Sequence, residues 1–383
     1  MGPLAGLYIV EIAGIGPGPF AGMLLADLGA TVIRIERPGG GMFNGVPELD
    51  ILNRGKQCIV VDLKNPEGVE TVLKLVERAD ALLEGFRPGV LEKLGLGPDV
   101  CLARNEKLVF GRMTGWGQEG PMSQRAGHDI NYIALSGALH PVGLKDQRPT
   151  VPLNLVGDFG GGGLMLAFGM VSALLEAGRS GVGQVVDAAM VDGSATLMAS
   201  LFGAVQAGFW KEERGSNMVD SGAPFYDTYE TLDGEHVAVG AIEAKFYAQL
   251  LAGLGLDGAD LPAQMDMDRW PELKARFTEI FKTRTREEWR AVFDDTDACV
   301  SPVLRMSEAR HHTHNASREA FIELGGVYQP NAAPRFSRTS PELTQTTARL
   351  GEHTRQVLSD IGVSVDEIDT LMEIGAVAGI DEP

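Results

Sequence analysis

Residues 1–115 switch repeatedly between two periodicities, and that alternation restricts the fold more than any single motif does. Residues 7–12 are a short apolar run ended by a Gly/Pro cluster, and residues 20–28 have a helical pattern. Residues 31–35 and 58–63 are β-rich, 68–77 are amphipathic, 81–83 are apolar, and 108–113 have strand character. Strands alternating with helical segments build parallel βαβ units and an open α/β sheet. Residues 160–175 and 187–209 then have the character of long buried helices, and the uncharged stretches 159–175 and 193–210 within this region are expected to lie in a large core and not to span a membrane.

The character changes after Ser221. Residues 225–231 and 236–241 alternate around Asp233-Gly234, a two-residue hairpin signal. Residues 245–254, 270–281 and 287–293 have helical spacing, and 300–304 are extended. The expected organisation is a large domain over residues 1–190 completed by 331–383, linker helices over 191–224, and a small α+β domain over 225–330. The tail from Pro341 carries two arginines against nine acidic residues and is expected to be mostly solvated. Within it, Ser364-x-x-Glu367 is a capping box for a short helix.

Thirty-three Lys and Arg stand against 52 Asp and Glu, a net charge of −19, which argues against binding nucleic acid or an anionic membrane. Cys58, Cys101 and Cys299 lie far apart, a pattern for reduced thiols and not for a disulfide or zinc framework. No Lys or Arg precedes Arg34, and Asp381-Glu382-Pro383 is not a peroxisomal address, so the expected location is the cytoplasm.

Gly14-Ile15-Gly16-Pro17-Gly18-Pro19 follows the first strand, with Glu36 near the place of a ribose-binding acid. Only an alanine-ended frame, Gly16-x-Gly18-x-x-Ala21, fits a dinucleotide fingerprint, and Pro17 and Pro19 lack N–H groups for a pyrophosphate. A tight strand-to-helix turn is the reading favoured over nicotinamide binding. Arg34, Arg37, Arg54, Lys56 and Lys64 outnumber four nearby carboxylates, followed by Arg87 and Lys93. This is either a phosphate-binding patch or solvated loop charge.

Three polar islands stand in apolar surroundings. Gly127-His128-Asp129-Ile130-Asn131-Tyr132 offers a histidine that is either a satisfied core residue or an acid/base. Asp158 precedes the four glycines of residues 160–163, at the expected start of a buried helix; its ordinary role there is N-cap, and the same place suits an oxyanion. Glu243 ends a hairpin strand, where a solvated charge is the plain alternative. No G-x-S-x-G elbow is present, and His311-His312-Thr313-His314 reads as surface histidines, so no metal site is expected.

Taken together, the phrases Glu11-Ile12-Ala13, Ala26-Asp27-Leu28-Gly29-Ala30, Arg34-Ile35-Glu36-Arg37-Pro38, Val61-Asp62-Leu63-Lys64, Glu84-Gly85-Phe86-Arg87-Pro88-Gly89 and Arg112-Met113-Thr114-Gly115-Trp116-Gly117 carry a resemblance, continued by the His128 and Asp158 islands. They resemble the 2-methylacyl-CoA racemases of the family III CoA-transferase superfamily, over nearly the whole chain up to about Arg338. The resemblance implies a Rossmann-like large domain, a smaller domain, and an interlocked homodimer. It implies an acyl-CoA substrate, with coenzyme A held near Arg37, Val61, Asp62, Leu63, Lys64 and Arg87, and Gly127, Asp129, Ile130, Asn131 and Tyr132 lining the substrate. His128 and Asp158 carry over as the two bases, Glu84 as partner of the histidine and Glu243 as partner of the aspartate. Lys93 departs from an arginine found in some members, which puts a forked contact there in doubt.

Epimerising C2 of a thioester requires acid/base groups on both faces and donors for the enolate oxygen, expected from amides at the Asp158 helix start. No metal or redox cofactor is expected. The alternative activity is a family III CoA-transferase with Asp158 as nucleophile; a noncatalytic acyl-CoA-binding protein would need none of the four ionisable groups.

Overall fold

The computed structural model describes residues 2–40 and 45–380; the terminal Asp381-Glu382-Pro383 lies outside the described residues. The chain divides into a larger unit, Met1–Ser136, Leu153–Leu197 and Ala316–Pro383, and a smaller unit, Gly137–Pro152 and Met198–Asn315.

In the larger unit, Val-, Ile- and Leu-rich runs become parallel strands, buried almost throughout in the first five and largely exposed in the sixth, at the edge of the sheet. They are β1 (Tyr8–Ile12), β2 (Thr31–Glu36), β3 (Gln57–Val61), β4 (Ala81–Glu84), β5 (Val109–Thr114) and β6 (Gln184–Ala189). Their order is β3-β2-β1-β4-β5-β6, with the short strand Val377–Ala378 antiparallel on β3. The order reverses between β1 and β4, each parallel to its neighbours, which opens a crevice beyond the carboxyl ends of the strands. The open, parallel α/β sheet expected from the alternation is present, with the Rossmann-like character that the resemblance implies.

Two expectations are corrected here and one is qualified. The segment read as one helix over 187–209 begins as β6, because Val185 to Ala189 extend along β5, and only then turns into the helices Met190–Leu197 and Ala199–Gln206. The acidic tail is exposed at half of its described residues, but it does not simply trail in solvent: Val357, Leu358, Ile368, Leu371 and Val377 enter the core beside β3. Its helix Val365–Glu373 does start at the capping residue Ser364, whose hydroxyl accepts from Glu367 N–H at 3.3 Å. Nor is the long helical stretch Leu155–Ser180 buried all round. Leu166, Ala167, Met170, Ala173 and Ala177 pack into the core, whereas Leu164, Phe168, Val171 and Leu175 form an exposed apolar stripe. By length and composition alone this stretch is long and apolar enough to cross a membrane.

The smaller unit joins β7 (Tyr226–Glu230), β8 (His236–Gly240) and β9 (Val300–Pro302) into an antiparallel sheet. Helices Ala244–Gly253, Trp270–Phe281 and Arg286–Phe293 pack around Phe225, Tyr229, Phe277 and Trp289. The hairpin signal at Asp233-Gly234 is real, but its loop has one more residue than a two-residue turn. Thr231 N–H donates to the Glu235 carbonyl at 2.9 Å, and Gly234 takes the left-handed position with φ 74°.

Three cations of the basic region are sunk into the larger unit. Arg34 pairs with Glu36 at 3.0 Å, Arg54 with Asp27 at 2.6 Å, and Lys56 with Glu11 at 2.7 Å. Lys56 also donates to the Pro19 carbonyl and Asn53 Oδ1, tying the segment before β3 beneath the glycine turn. Replacing Lys56 with Met leaves the Glu11 carboxylate buried without a counter-charge. The expected cost is about 3–5 kcal/mol of unfolding free energy. Urea denaturation followed by circular dichroism measures it, and the double variant Glu11→Leu/Lys56→Met recovers part of the loss; an unchanged midpoint in Lys56→Met contradicts the pairing.

Candidate active site

At the carboxyl ends of β1, β2 and β3 lies a cavity of about 660 Å³. Its walls include the turn Ala13-Gly14-Ile15-Gly16, Arg37, and Val61-Asp62-Leu63-Lys64, with Phe86 and Leu94 adding apolar surface. Five of the expected coenzyme-binding residues thus line one cavity; Arg87 does not line it and lies instead where its charge reaches Tyr132. The basic patch is smaller than the sequence implies. Arg34, Arg54 and Lys56 spend their charges on buried carboxylates, which leaves exposed Arg37 and Lys64 without an ion pair among the described residues. The glycine turn, read as a plain bend, also proves to be a cavity wall.

His128 sits at the N-cap of the helix Asp129–Leu135. Its N–H donates to Asn131 Oδ1 at 3.0 Å and its carbonyl accepts from Asn131 N–H at 2.8 Å, so the backbone is fixed while the ring stays exposed. Behind it, Tyr132 is buried: its hydroxyl donates to the Gly127 carbonyl, and its ring meets Trp116 edge-on at 4.7 Å. Tyr132 therefore supports the His128 turn from inside. Ile130 is exposed beside it.

Asp158 is not a helix N-cap. It lies inside a π-helical segment, Leu155–Leu164, which runs directly into the helix Met165–Ser180. The wider π spiral is tolerated because glycines let three helices touch. A Cβ on Gly161 would stand 2.5 Å from Ser194 N, and one on Gly193 would stand 1.8 Å from the Gly161 carbonyl oxygen. π segments of this kind recur at functional sites. The Asp158 carboxylate accepts from Asn154 Nδ2 at 3.1 Å and faces Gly16, where a Cβ would come within 3.4 Å of Oδ2. Gly16 has φ 74°, so the turn both needs glycine and leaves room for the carboxylate.

The amides expected to serve an oxyanion at Asp158 are taken. Gly157 N–H and Asp158 N–H donate to Asp129 Oδ2 at 2.7 and 2.8 Å. Asp129, expected among the substrate contacts, turns its carboxylate inward. Of the amides that open the helix Asp129–Leu135, that of Asn131 is bonded to the His128 carbonyl, and those of Asp129 and Ile130 have no acceptor within the helix.

Burial pushes the Asp158 carboxyl above the ordinary aspartate range; the Asn154 amide and the charge of His128 draw it back, and Asp129 adds to the rise. Glu84, at the end of β4, is fully buried. Its carboxylate accepts from Phe86 N–H at 2.6 Å and from Arg112 Nε at 2.9 Å, and Arg112 also forks onto Glu92. No hydrogen bond joins Glu84 to His128 among the described residues; the Glu84 carboxylate holds Arg112 and the Phe86 amide. Glu243 stands exposed at the N-cap of the helix Ala244–Gly253 in the smaller unit. Asn154 and Gly16 are site residues that the sequence reading missed, and Asp129 was expected as a substrate contact; spacing alone does not show that its carboxylate, 29 residues away, accepts from Asp158 N–H. No cluster of three or more metal-ligating side chains is found among the described residues.

The electrostatics give a testable titration. Carbon-13 NMR of the carboxyl groups should place Asp158 above a normal aspartate, and His128→Gln should raise it further by removing a nearby positive charge. A fall on that substitution contradicts the coupling.

The sequence profile of CoA-transferase family III matches residues 4–354. The chain is 50% identical over 367 residues to "Alpha-methylacyl-CoA racemase" of Mus musculus, covering 95% of each chain, and 47% identical over 369 residues to the Homo sapiens protein of that name, again covering 95% of each. Among solved structures, a CAIB/BAIF family protein from Brucella suis superposes with a TM-score of 0.82 at 26% identity, covering 94% of this chain and 99% of that one. With its fold, its cavity and its sequence in agreement over nearly its full length, the chain belongs to CoA-transferase family III.

Proposed function

We propose that the chain interconverts the (2R) and (2S) epimers of 2-methylacyl-CoA thioesters by moving the C2 proton between two bases, His128 and Asp158. The observation that carries this reading is the placement of an exposed imidazole beside a partly desolvated carboxyl whose affinity for a proton is raised. One base takes the C2 proton, and the C–H electron pair passes to the thioester oxygen as an enolate. The other base, already protonated, returns a proton to the opposite face. Each turnover needs one base charged for acceptance and the other loaded for donation, so a carboxyl with an elevated pKa matches an imidazole as its counterpart. The amides of Asp129 and Ile130, at the start of the helix Asp129–Leu135, are candidates for holding the enolate oxygen. Only protons move, so the chemistry calls for no metal or redox cofactor.

Arg37 and Lys64 are the cavity cations free to meet the phosphates of coenzyme A. The mammalian relatives named as racemases support the same substrate class. A CoA-transferase would use Asp158 as nucleophile and would not need His128 as a second base. Glu243 is assigned as partner of Asp158 by the family pattern. The exposed apolar stripe Leu164, Phe168, Val171 and Leu175 supports a homodimer, because a stripe of that kind is covered in most folded assemblies. The cytoplasm remains the proposed location.

One epimer of a 2-methylacyl-CoA, incubated in deuterated water and analysed by mass spectrometry and chiral separation, should racemise with deuterium at C2. His128→Gln and Asp158→Asn should each lose on the order of 10²–10⁴ in racemisation and exchange opposite epimers preferentially. Sedimentation of the same preparation should give a dimer. Near-normal racemisation by folded His128→Gln removes the two-base assignment, and transfer of CoA to an acceptor acid without racemisation favours the transferase.

A further inference from the structure

We propose that Asp129 is a positioning residue whose carboxylate locks the helix carrying His128 to the π turn carrying Asp158, so that the two acid/base groups share one frame. This inference rests on the racemase reading. Asp129 is 6% exposed. A π spiral leaves its first N–H groups without partners five residues back, and here Phe159 N–H reaches the Asn154 carbonyl at 3.3 Å. Asp129 Oδ2 fills the gap by accepting from both Gly157 and Asp158, bonds of 2.7 and 2.8 Å made to the backbone of the proposed base itself. A Cβ on Gly157 would lie 2.5 Å from that oxygen, so glycine is what allows the approach. On the other side, the two Asn131 bonds fix the backbone of His128, the residue immediately before Asp129. A displacement of one base relative to the other therefore has to break buried, charge-assisted hydrogen bonds.

A carboxylate is used where an amide could accept the same two bonds, and the second oxygen explains why. Asp129 Oδ1 is buried and has no hydrogen-bond partner, so its charge is uncompensated on the side away from the amides. The groups facing the Asp158 carboxyl are Asn154 on its own turn, Asp129 and His128 at the start of the neighbouring helix, and Tyr132 one turn further along. The Gly14–Pro17 turn opposite carries no titratable side chain. Among these, Asp129 opposes the charge of His128 and favours the protonated form of Asp158, the form that must donate in one direction of turnover.

Two substitutions separate frame from charge. Asp129→Asn keeps an acceptor for both amides and removes the charge; Asp129→Ala removes both. C2 exchange from each epimer in deuterated water is followed across pH, together with the dissociation constant for coenzyme A. Asp129→Ala should lose on the order of 10²-fold in exchange on the Asp158 face, more than on the His128 face, with coenzyme A affinity retained. Asp129→Asn should keep more of that rate, with the acid limb moved to lower pH because Asp158 ionises more readily. An unmoved limb in Asp129→Asn, or equal loss on both faces in Asp129→Ala, overturns the inference. If Asp129→Ala does not fold, the Asn profile decides alone. Absence of exchange from either epimer in the unsubstituted protein is a different failure: it overturns the racemase reading and this inference with it.

Discussion

The site depends on how closely backbones approach around the π segment Leu155–Leu164. Gly161 and Gly193 have no Cβ where one would overlap the facing backbone, and the segment packs against the helix Pro17–Asp27 on another side, with the Phe20 and Phe159 rings 4.8 Å apart. That contact brings the turn after β1 against Asp158, and β1 borders the place where the strand order reverses. One packing constraint thus sets the base beside the crevice in which an open α/β sheet binds its ligands. Asp129 then fixes the orientation of the turn by hydrogen bonding, which packing of glycines alone leaves soft.

Electrostatics in the larger unit follow from an acidic chain that buries several of its cations. Arg54 holds Asp27 with two bonds and also donates to Gln329 and the Pro330 carbonyl, drawing the returning chain onto the first helix. Arg112 joins Glu84 to Glu92, and so ties the end of β4 to the short helix that precedes Leu94 on the cavity wall. The buried pairs Arg54–Asp27 and Arg112–Glu84 are hard to break because each partner is costly to strand in a dry interior, whereas Glu92 is partly exposed. The cations left over, Arg37 and Lys64, are those at the cavity mouth, where an anionic ligand competes with water and not with a carboxylate.

What was legible in the sequence is what local pattern carries. Two-periodicity alternation gave the parallel sheet, Ser364 and Glu367 marked a helix start, and the islands at His128 and Asp158 stood out because polar residues are rare in apolar runs. The misreadings all concern long-range partners. The tail looked solvated because its composition is acidic, yet its few apolar residues are spaced to cover β3. Asp158 looked like an N-cap because an acid before glycines usually is one; the π spiral arises from packing that no local propensity records. The pairing of Glu84 with Arg112 is likewise invisible to local spacing, because it comes from the register of β4 on β5, which sets the two opposite each other. The apolar stripe on Met165–Ser180 was assigned to the core because composition does not say which side of a helix meets the sheet.

The central claim is that two groups, one on each face of C2, carry the proton in and out. Its most direct test is a single-turnover reaction in ordinary water with one 2-methylacyl-CoA epimer carrying deuterium at C2. Two bases predict that inverted product appears with solvent protium at C2 while unreacted substrate keeps its deuterium. Inverted product that retains the substrate deuterium would mean that one group serves both faces, and would contradict the account.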